Sequence, residues 1–127
     1  EIINQALRFH SEGKISDAAK IYLYCINQGF QDQRVFLNFG VILRNLGKLK
    51  EAELSLRKAI EINPDYAKAH YNLGRILCDL GELKEAEILL SNAIELDPNF
   101  ASAYYALSLL KFAENNQLWQ KQLFQVR

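Results

Sequence analysis

Methionine is absent from the 127 residues, position 1 included. An open reading frame starts with methionine, so the expectation is an excised segment of a longer chain, with any catalytic domain outside it. Cysteine is nearly absent: Cys25 and Cys78 are the only two, with no C-x-x-C and no disulfide framework. That favours a reducing, cytoplasmic setting over secretion. Charge of one sign is not in excess, since 15 basic residues meet 15 acidic ones. A whole-protein pull toward nucleic acid or an anionic membrane has no support, which leaves only local patches. No apolar run approaches the roughly 20 residues that span a bilayer, and the start shows no signal-peptide pattern. No Gly-rich phosphate loop, G-x-S-x-G or H-E-x-x-H occurs, the short motifs that would announce nucleotide, acyl-transfer or zinc chemistry. His10 and His70 lie far apart, and no His, Cys and Asp cluster has metal-ligand spacing. No catalytic, cofactor-binding or metal residue is expected, so this segment is not expected to be an enzyme.

What is present is a period. Gly13, Gly47 and Gly81 stand 34 residues apart, as do Ala18, Ala52 and Ala86, then Asn4, Asn38 and Asn72. Pro64 and Pro98, the only two prolines, keep the same interval. Four independent series at one period indicate stacked supersecondary units, not a single core around a central pocket. Half of the residues are apolar and about a quarter are charged, which suits one soluble folded domain.

Within each unit the apolar spacing is helical, and β-branched alternation is scarce. In the middle unit Phe36, Phe39, Leu43 and Leu46 mark one stripe. Gly47 follows, where a left-handed helix-ending residue is expected. Ala52, Leu56, Ala59 and Ile60 mark a second stripe, which Asn63-Pro64-Asp65 ends, because proline disfavours helix in the residue before it. The next unit repeats this with Leu73, Leu77, Leu80 and Gly81, then Ala86, Leu90, Ala93 and Ile94 before Asp97-Pro98. Small residues at Gly40, Ala52, Ala59, Gly74, Ala86 and Ala93 allow close helix approach. Helices are expected near 1–11, 15–28, 33–46, 49–62, 67–80, 83–96, 101–114 and 117–126. The fourth unit departs from the pattern: Asn115 stands where the glycine belongs and Gln120 where the alanine belongs. The amphipathic tail with Leu118, Trp119, Leu123 and Phe124 reads as a helix covering the end of the stack, as terminal repeats require.

These residues resemble the tetratricopeptide repeat, a 34-residue helix–turn–helix whose pattern runs aromatic, x2, Leu, Gly, x2, Tyr, then Ala, x3, Phe, then Pro. The second unit has Phe36-x2-Phe39-Gly40-x2-Leu43, Ala52-x3-Leu56 and Pro64; the third has His70-x2-Leu73-Gly74-x2-Leu77, Ala86-x3-Leu90 and Pro98. The first keeps Phe9, Gly13, Ala18 and Tyr22, with Ala6 for the second glycine and Phe30 for the proline. The resemblance implies an all-α fold: a right-handed helical solenoid of helix-turn-helix repeats with a C-terminal capping helix. It implies a single domain over 1–127, with repeats about 1–32, 33–66 and 67–100 and a partial fourth repeat and cap over 101–127. The phrases HYNLGRIL, NPDYAKA and DPNFASA are also similar to repeat arrays attached to glycosyltransferase or sulfotransferase domains.

In such an array the first helix of each pair lines a concave face. Asn4, Asn38 and Asn72 occupy identical places on those helices. An asparagine side chain both donates and accepts, so one per repeat forms a ladder for an extended chain. The arrays of O-linked N-acetylglucosamine transferases are similar in carrying such a ladder. The competing reading has these residues bonding neighbouring helix backbone and ordering the turn. Arg34, Arg44, Lys68 and Arg75, with Tyr71 and Tyr105, should face the same groove by helix phase. Cations with aromatics suit an acidic or C-terminal peptide segment; the competing reading is ordinary solvated surface. Repeat proteins that clamp a C-terminal carboxylate use Lys and Asn where this chain has Ile3 and Leu7, so that clamp is not expected. His70 and Cys25 read as packed helix-interface residues, and Glu53–Arg57 as an i,i+4 pair on the outer face.

The expected function is a protein–protein interaction scaffold that binds an extended peptide, protein-derived and acidic, in the concave groove without a cofactor. Neither nucleic acid nor membrane is an expected partner. Two alternatives remain open: a substrate-presenting accessory module of a larger transferase, and a self-association module. In the second, a homodimer forms through the C-terminal end at Tyr104, Trp119 and Phe124.

Overall fold

The computed structural model describes residues 1–125, apart from the side chains of residue 119 and of residues 123–125. Among the described residues seven α-helices follow one another: α1 (Ile2–Ser11), α2 (Ile15–Asn27), α3 (Gln33–Asn45), α4 (Leu49–Ile62), α5 (Ala67–Asp79), α6 (Leu83–Leu96) and α7 (Ala101–Gln125). No strand occurs among the described residues. Consecutive helices pack as hairpins α1/α2, α3/α4 and α5/α6, and each hairpin packs on the next. The first helices also meet one another, α3 on α5 and α5 on α7, which places them along one side of an all-α solenoid.

The hairpin turns follow from glycine. At the end of α3, Gly47 has φ of 81°, and Gly13 and Gly81 match it. The Gly47 N–H donates to the Arg44 carbonyl at 2.9 Å and the Lys48 N–H to the Leu43 carbonyl at 2.9 Å. This pair of bonds satisfies helix-end carbonyls while reversing the chain, and the left-handed residue it requires is cheapest as glycine. Between repeats a different device operates. Asn63 Oδ1 accepts the Asp65 N–H and Asp97 Oδ1 accepts the Asn99 N–H, both at 3.2 Å, around the two prolines. His70 Nε2 lies 2.7 Å from the Pro64 carbonyl oxygen and fastens that turn to α5. The first repeat lacks the proline and ends instead on Gly29, with φ of 82°, a stop the periodic pattern did not reveal.

Close approach inside each hairpin rests on a small residue facing a large one. A Cβ added to Gly40 would overlap the Leu56 side chain, and one added to Gly74 would come 2.9 Å from Leu90 Cγ. Leu56 and Leu90 are fully buried, as are Ala52, Ala59, Ala86 and Ala93. In the first hairpin Tyr22 fills the matching place, buried with Ala6, and its hydroxyl lies 3.3 Å from His10 Nδ1. Cys25 is fully buried, and burial raises its thiol pKa, in keeping with a packed, unreactive residue. On the outer face Arg57 joins Glu53 in its own helix and Glu85 in the next repeat, both at 2.8 Å.

The C-terminal end differs from the sequence expectation in one respect. A turn near Asn115 and a separate helix over 117–126 were expected; α7 instead runs unbroken through that position for 25 residues, about 38 Å at 1.5 Å per residue. The reason is the missing glycine, since no non-glycine residue takes a positive φ among the described residues. With Asn115 in that column, continuing the helix costs less than reversing it. The end of the stack is covered by the first half of α7, where Ala103 and Leu110 are buried. The expectations that rested on the side chains of Trp119, Leu123 and Phe124 lie outside the described residues.

The start of α3 carries a charged cap. Asp32 Oδ1 accepts the Arg34 N–H at 2.9 Å, and the Arg34 guanidinium reaches both carboxylate oxygens at 3.0 and 2.8 Å. These bonds, the side-chain ones foremost, hold the Asp32 carboxyl below its ordinary value of 3.8. They favour the carboxylate, so the stabilisation is present above that ordinary value and is lost as the pH falls below it.

Three outcomes are expected in urea unfolding. Leu56→Ala lowers stability by about 3 kcal/mol through the cavity it leaves, whereas Gly47→Ala costs about 1 kcal/mol through its left-handed backbone. Asp32→Asn, which keeps the capping acceptor but not the charge, is less stable than wild type at neutral pH, and the gap closes when both are unfolded well below the carboxylate range.

Candidate peptide-binding groove

The side formed by α3, α5 and α7 carries two adjoining clefts. One, of about 440 Å³, is lined by Tyr71, Arg75, Ala101, Ser102, Tyr105, Ala106 and Leu109. The other, of about 320 Å³, takes in Arg44, Cys78, Asp79 and Leu110 and shares Arg75, Ala106 and Leu109 with the first. The shared residues make one continuous groove between α5 and α7. Tyr71, Arg75, Tyr105 and Arg44, four of the residues expected to face a groove, are brought together here.

Within it the polar groups are held in place. The Arg75 guanidinium lies 5.6 Å from the centre of the Tyr71 ring, a cation–π geometry. Tyr71 in turn packs on Phe100 with ring centres 4.9 Å apart. Tyr105 is 68% exposed and Leu109 52%, so the groove offers aromatic and aliphatic surface beside one cation. Arg44 Nε donates to Asp79 Oδ2 at 2.9 Å, which ties the end of α3 to the end of α5 and neutralises the arginine. Cys78 lies in the groove wall with its thiol pKa raised, chiefly by burial. A thiol in that state is a poor nucleophile.

The remaining expected residues lie elsewhere or are engaged. Asn38 Nδ2 donates to the Arg34 carbonyl and Asn72 Nδ2 to the Lys68 carbonyl, each at 2.8 Å. Both bonds run four residues back along the asparagine's own helix. They differ from the neighbouring-helix bonds of the structural alternative, and they leave each amide carbonyl and a second N–H to offer. Asn4 sits in the first turn of α1, where no helical carbonyl stands four residues before it. It lines a separate cleft with Glu1, Ile2, Gln5 and Arg8. Arg34 is held by Asp32 and lies 3.9 Å from Glu1, away from the α5–α7 groove. Lys68 is exposed at the start of α5, and neither Lys68 nor Arg75 enters a salt bridge among the described residues.

Sequence reasoning missed Asp79, Ser102, Ala106 and Leu109. Asp79 stands in the column that holds Asn45 one repeat earlier, and Leu109 in the column of Arg75 and Val41. Neither column is periodic in type, so the repeat carried no signal for them. Among the described residues no three His, Cys, Asp or Glu side chains are grouped to hold a metal ion. Among the same residues no helix is long and apolar enough to cross a membrane.

Comparison with known proteins bears on the whole array. The solved structure of the first repeat domain of Spaghetti (RPAP3), bound to the HSP90 peptide SRMEEVD, is similar over 90% of both chains, with 23% identity and a TM-score of 0.82. The second such domain of human RPAP3, in complex with the HSP70 peptide SGPTIEEVD, is 27% identical over 85% of this chain and 90% of that one, with a TM-score of 0.76. An O-GlcNAc transferase from Thermobaculum terrenum matches 86% of this chain, at 22% identity and a TM-score of 0.80, but only 21% of its own length is covered. No curated protein sequence matches. The family model described as Tetratricopeptide repeat matches residues 43–110, just over half of the chain. With its repeated glycine turns and small-to-large hairpin packing, the chain belongs to the tetratricopeptide repeat family.

Proposed function

We propose that this domain is a protein-interaction scaffold that binds an extended peptide in the groove between α5 and α7, without chemistry of its own. The carrying observation is the continuous groove in which Arg75 is braced on Tyr71 beside exposed Tyr105 and Leu109. Such a surface suits a segment with one acidic group and a neighbouring apolar side chain, the acid facing Arg75 and the apolar group Leu109. The two RPAP3 domains of similar fold are bound to peptides that end in EEVD, which supports an acidic peptide as the ligand class. The first-helix places for a carboxylate clamp hold Ile3 and Leu7, so acid recognition here rests on Arg75 and, further along, Lys68. Arg34 and Arg44 spend their charge on Asp32 and Asp79; Arg44 lines the groove and contributes shape more than attraction. The three repeats 1–32, 33–66 and 67–100 with the 101–127 segment act as one binding unit. A cytoplasmic location accords with the two free cysteines.

The matching geometry of Asn38 and Asn72 favours a second reading, a transferase accessory array that grips substrate backbone. Two amide groups in the same pose one repeat apart form a two-rung ladder toward an extended chain.

Fluorescence polarisation with acidic and charge-neutral peptides separates the readings. Under the first, Arg75→Ala weakens acidic peptides about tenfold, the worth of one charge-assisted contact, and leaves neutral ones unchanged. Under the second, the Asn38→Ala/Asn72→Ala pair weakens all peptides alike. Tight binding that ignores both variants would sink the groove as the site.

A further inference from the structure

One face of α7 enters the peptide groove only at its start, with Tyr105 and Leu109, and beyond them it meets neither the groove nor the stack. Tyr105, Leu109, Phe112, Asn116, Trp119 and Leu123 follow one another at intervals of 4, 3, 4, 3 and 4 residues. This is the alternation of the two core positions of a heptad, called a and d, with Leu109, Asn116 and Leu123 at a and the three aromatics at d. Tyr105 is 68% exposed and Phe112 71%, and Asn116 is exposed. The helix continues through Gln125, so positions 119 and 123 continue the same register. The opposite side of α7 is the one engaged with the stack: Ala103 and Leu110 are buried there, and Lys111 reaches Glu87 at 3.0 Å. Glu114, Leu118 and Lys121 border the start of α6. Because α7 does not reverse at Asn115, no described segment of its own chain returns to cover the stripe.

We propose that this stripe is a self-association surface that pairs, parallel and in register, with the same stripe of a second copy of the chain. Asn116 selects that occupant. In a parallel, in-register pair it meets itself, amide N–H against amide carbonyl, and both polar groups are satisfied. In any other register, or against an unrelated apolar helix, it is buried without a partner at a cost of about 1–3 kcal/mol. A single asparagine at an a position is the established means of setting register and dimeric state. The positions flanking the stripe, Ala106, Ser108, Ala113, Asn115, Gln120 and Gln122, carry no charge, so like-charge repulsion does not oppose two identical helices. The two stacks then lie on the outer sides of the pair, related by a two-fold axis along it. The stripe has fewer than three heptads, which makes the dimer weak and concentration-dependent. Pairing also covers Tyr105 and Leu109, so the dimer and a groove-bound peptide exclude one another.

This differs from a dimer surface made of Tyr104, Trp119 and Phe124. By helix phase only Trp119 of those three belongs to the stripe; Tyr104 lies about 100° away from Tyr105 and position 124 about 100° away from 105 on the other side.

Sedimentation equilibrium of the 127-residue chain, from about 1 µM to about 1 mM, tests the proposal. The average mass is expected to rise toward the dimer across that range. Phe112→Glu weakens association at least about tenfold, and Asn116→Leu strengthens it by about as much while admitting larger assemblies. In a Cys78→Ser background, Asn116→Cys forms an interchain disulfide on mild oxidation, since like positions face each other only in the parallel register. Circular dichroism confirms that each variant keeps its helices, and Leu109→Gln serves as the second probe if Phe112→Glu does not. A monomer throughout, or a dimer indifferent to both Phe112→Glu and Leu109→Gln, overturns the surface. A dimer that Asn116→Cys fails to cross-link overturns the parallel register. Phe112 and Asn116 do not line the groove, so a failed dimer leaves the peptide reading standing, and the polarisation assay tests that reading separately at protein concentrations too low for pairing.

Discussion

The contact on which the rest of this structure depends is the seating of a large residue from each second helix against a small one on the first. Leu56 lies against Gly40, and Leu90 against Gly74. The glycines carry a propensity penalty of about 1 kcal/mol each in a helix interior. Full burial of a leucine side chain contributes about 2–3 kcal/mol, so the contact more than offsets that penalty. It also fixes the distance between helices, and with it where the next hairpin can dock. In the first repeat the same arrangement is reached with Ala6 and Tyr22, a larger pair that carries a polar atom inward and places His10 within reach of it.

The second constraint is reversal. A solenoid requires each helix to stop and turn back, and here two chemistries share the task. Left-handed glycine closes the hairpins and also ends the first repeat at Gly29, while an Asn or Asp followed by proline separates the later repeats. Where both are missing, the helix goes on. Substituting Asn for glycine at 115 therefore changes the architecture of an entire end, because the residues beyond it extend α7 instead of folding onto it. Tyr105, Leu109 and Phe112 are presented outward along α7.

Three arginines spend their charge inside the molecule. Arg34 is committed to Asp32, Arg44 to Asp79, and Arg57 to Glu53 and Glu85. Exposed pairs of this kind add little stability singly. Those joining two repeats do add direction, since they hold adjacent hairpins at one rotation. The consequence for the groove is selective: among the described residues Lys68 and Arg75 enter no salt bridge, and Arg75 is steadied by the Tyr71 ring.

The periodic features needed no tertiary information. Glycine at 13, 47 and 81, the small residues at Gly40 and Gly74, and the two prolines act through backbone conformation and nearest-neighbour packing, which local sequence encodes. Six helices and their turns, apart from the Gly29 stop after α2, were legible on that basis, as were the buried places of Cys25 and His70. The site was legible only in part. Tyr71, Arg75, Tyr105 and Arg44 line adjoining clefts, but helix phase does not say which charges find partners. The Arg44–Asp79 bond spans 35 residues, and the bonds of Asn38 and Asn72 to their own helices compete with any ligand. The sequence by itself determined that this chain is a stack of helical hairpins, because a repeated pattern of small, large and turn-forming residues permits no other packing. Only the tertiary structure decided which cations pair with carboxylates and which side chains share one groove, because both depend on what lies across space from a residue, not on its neighbours in the chain.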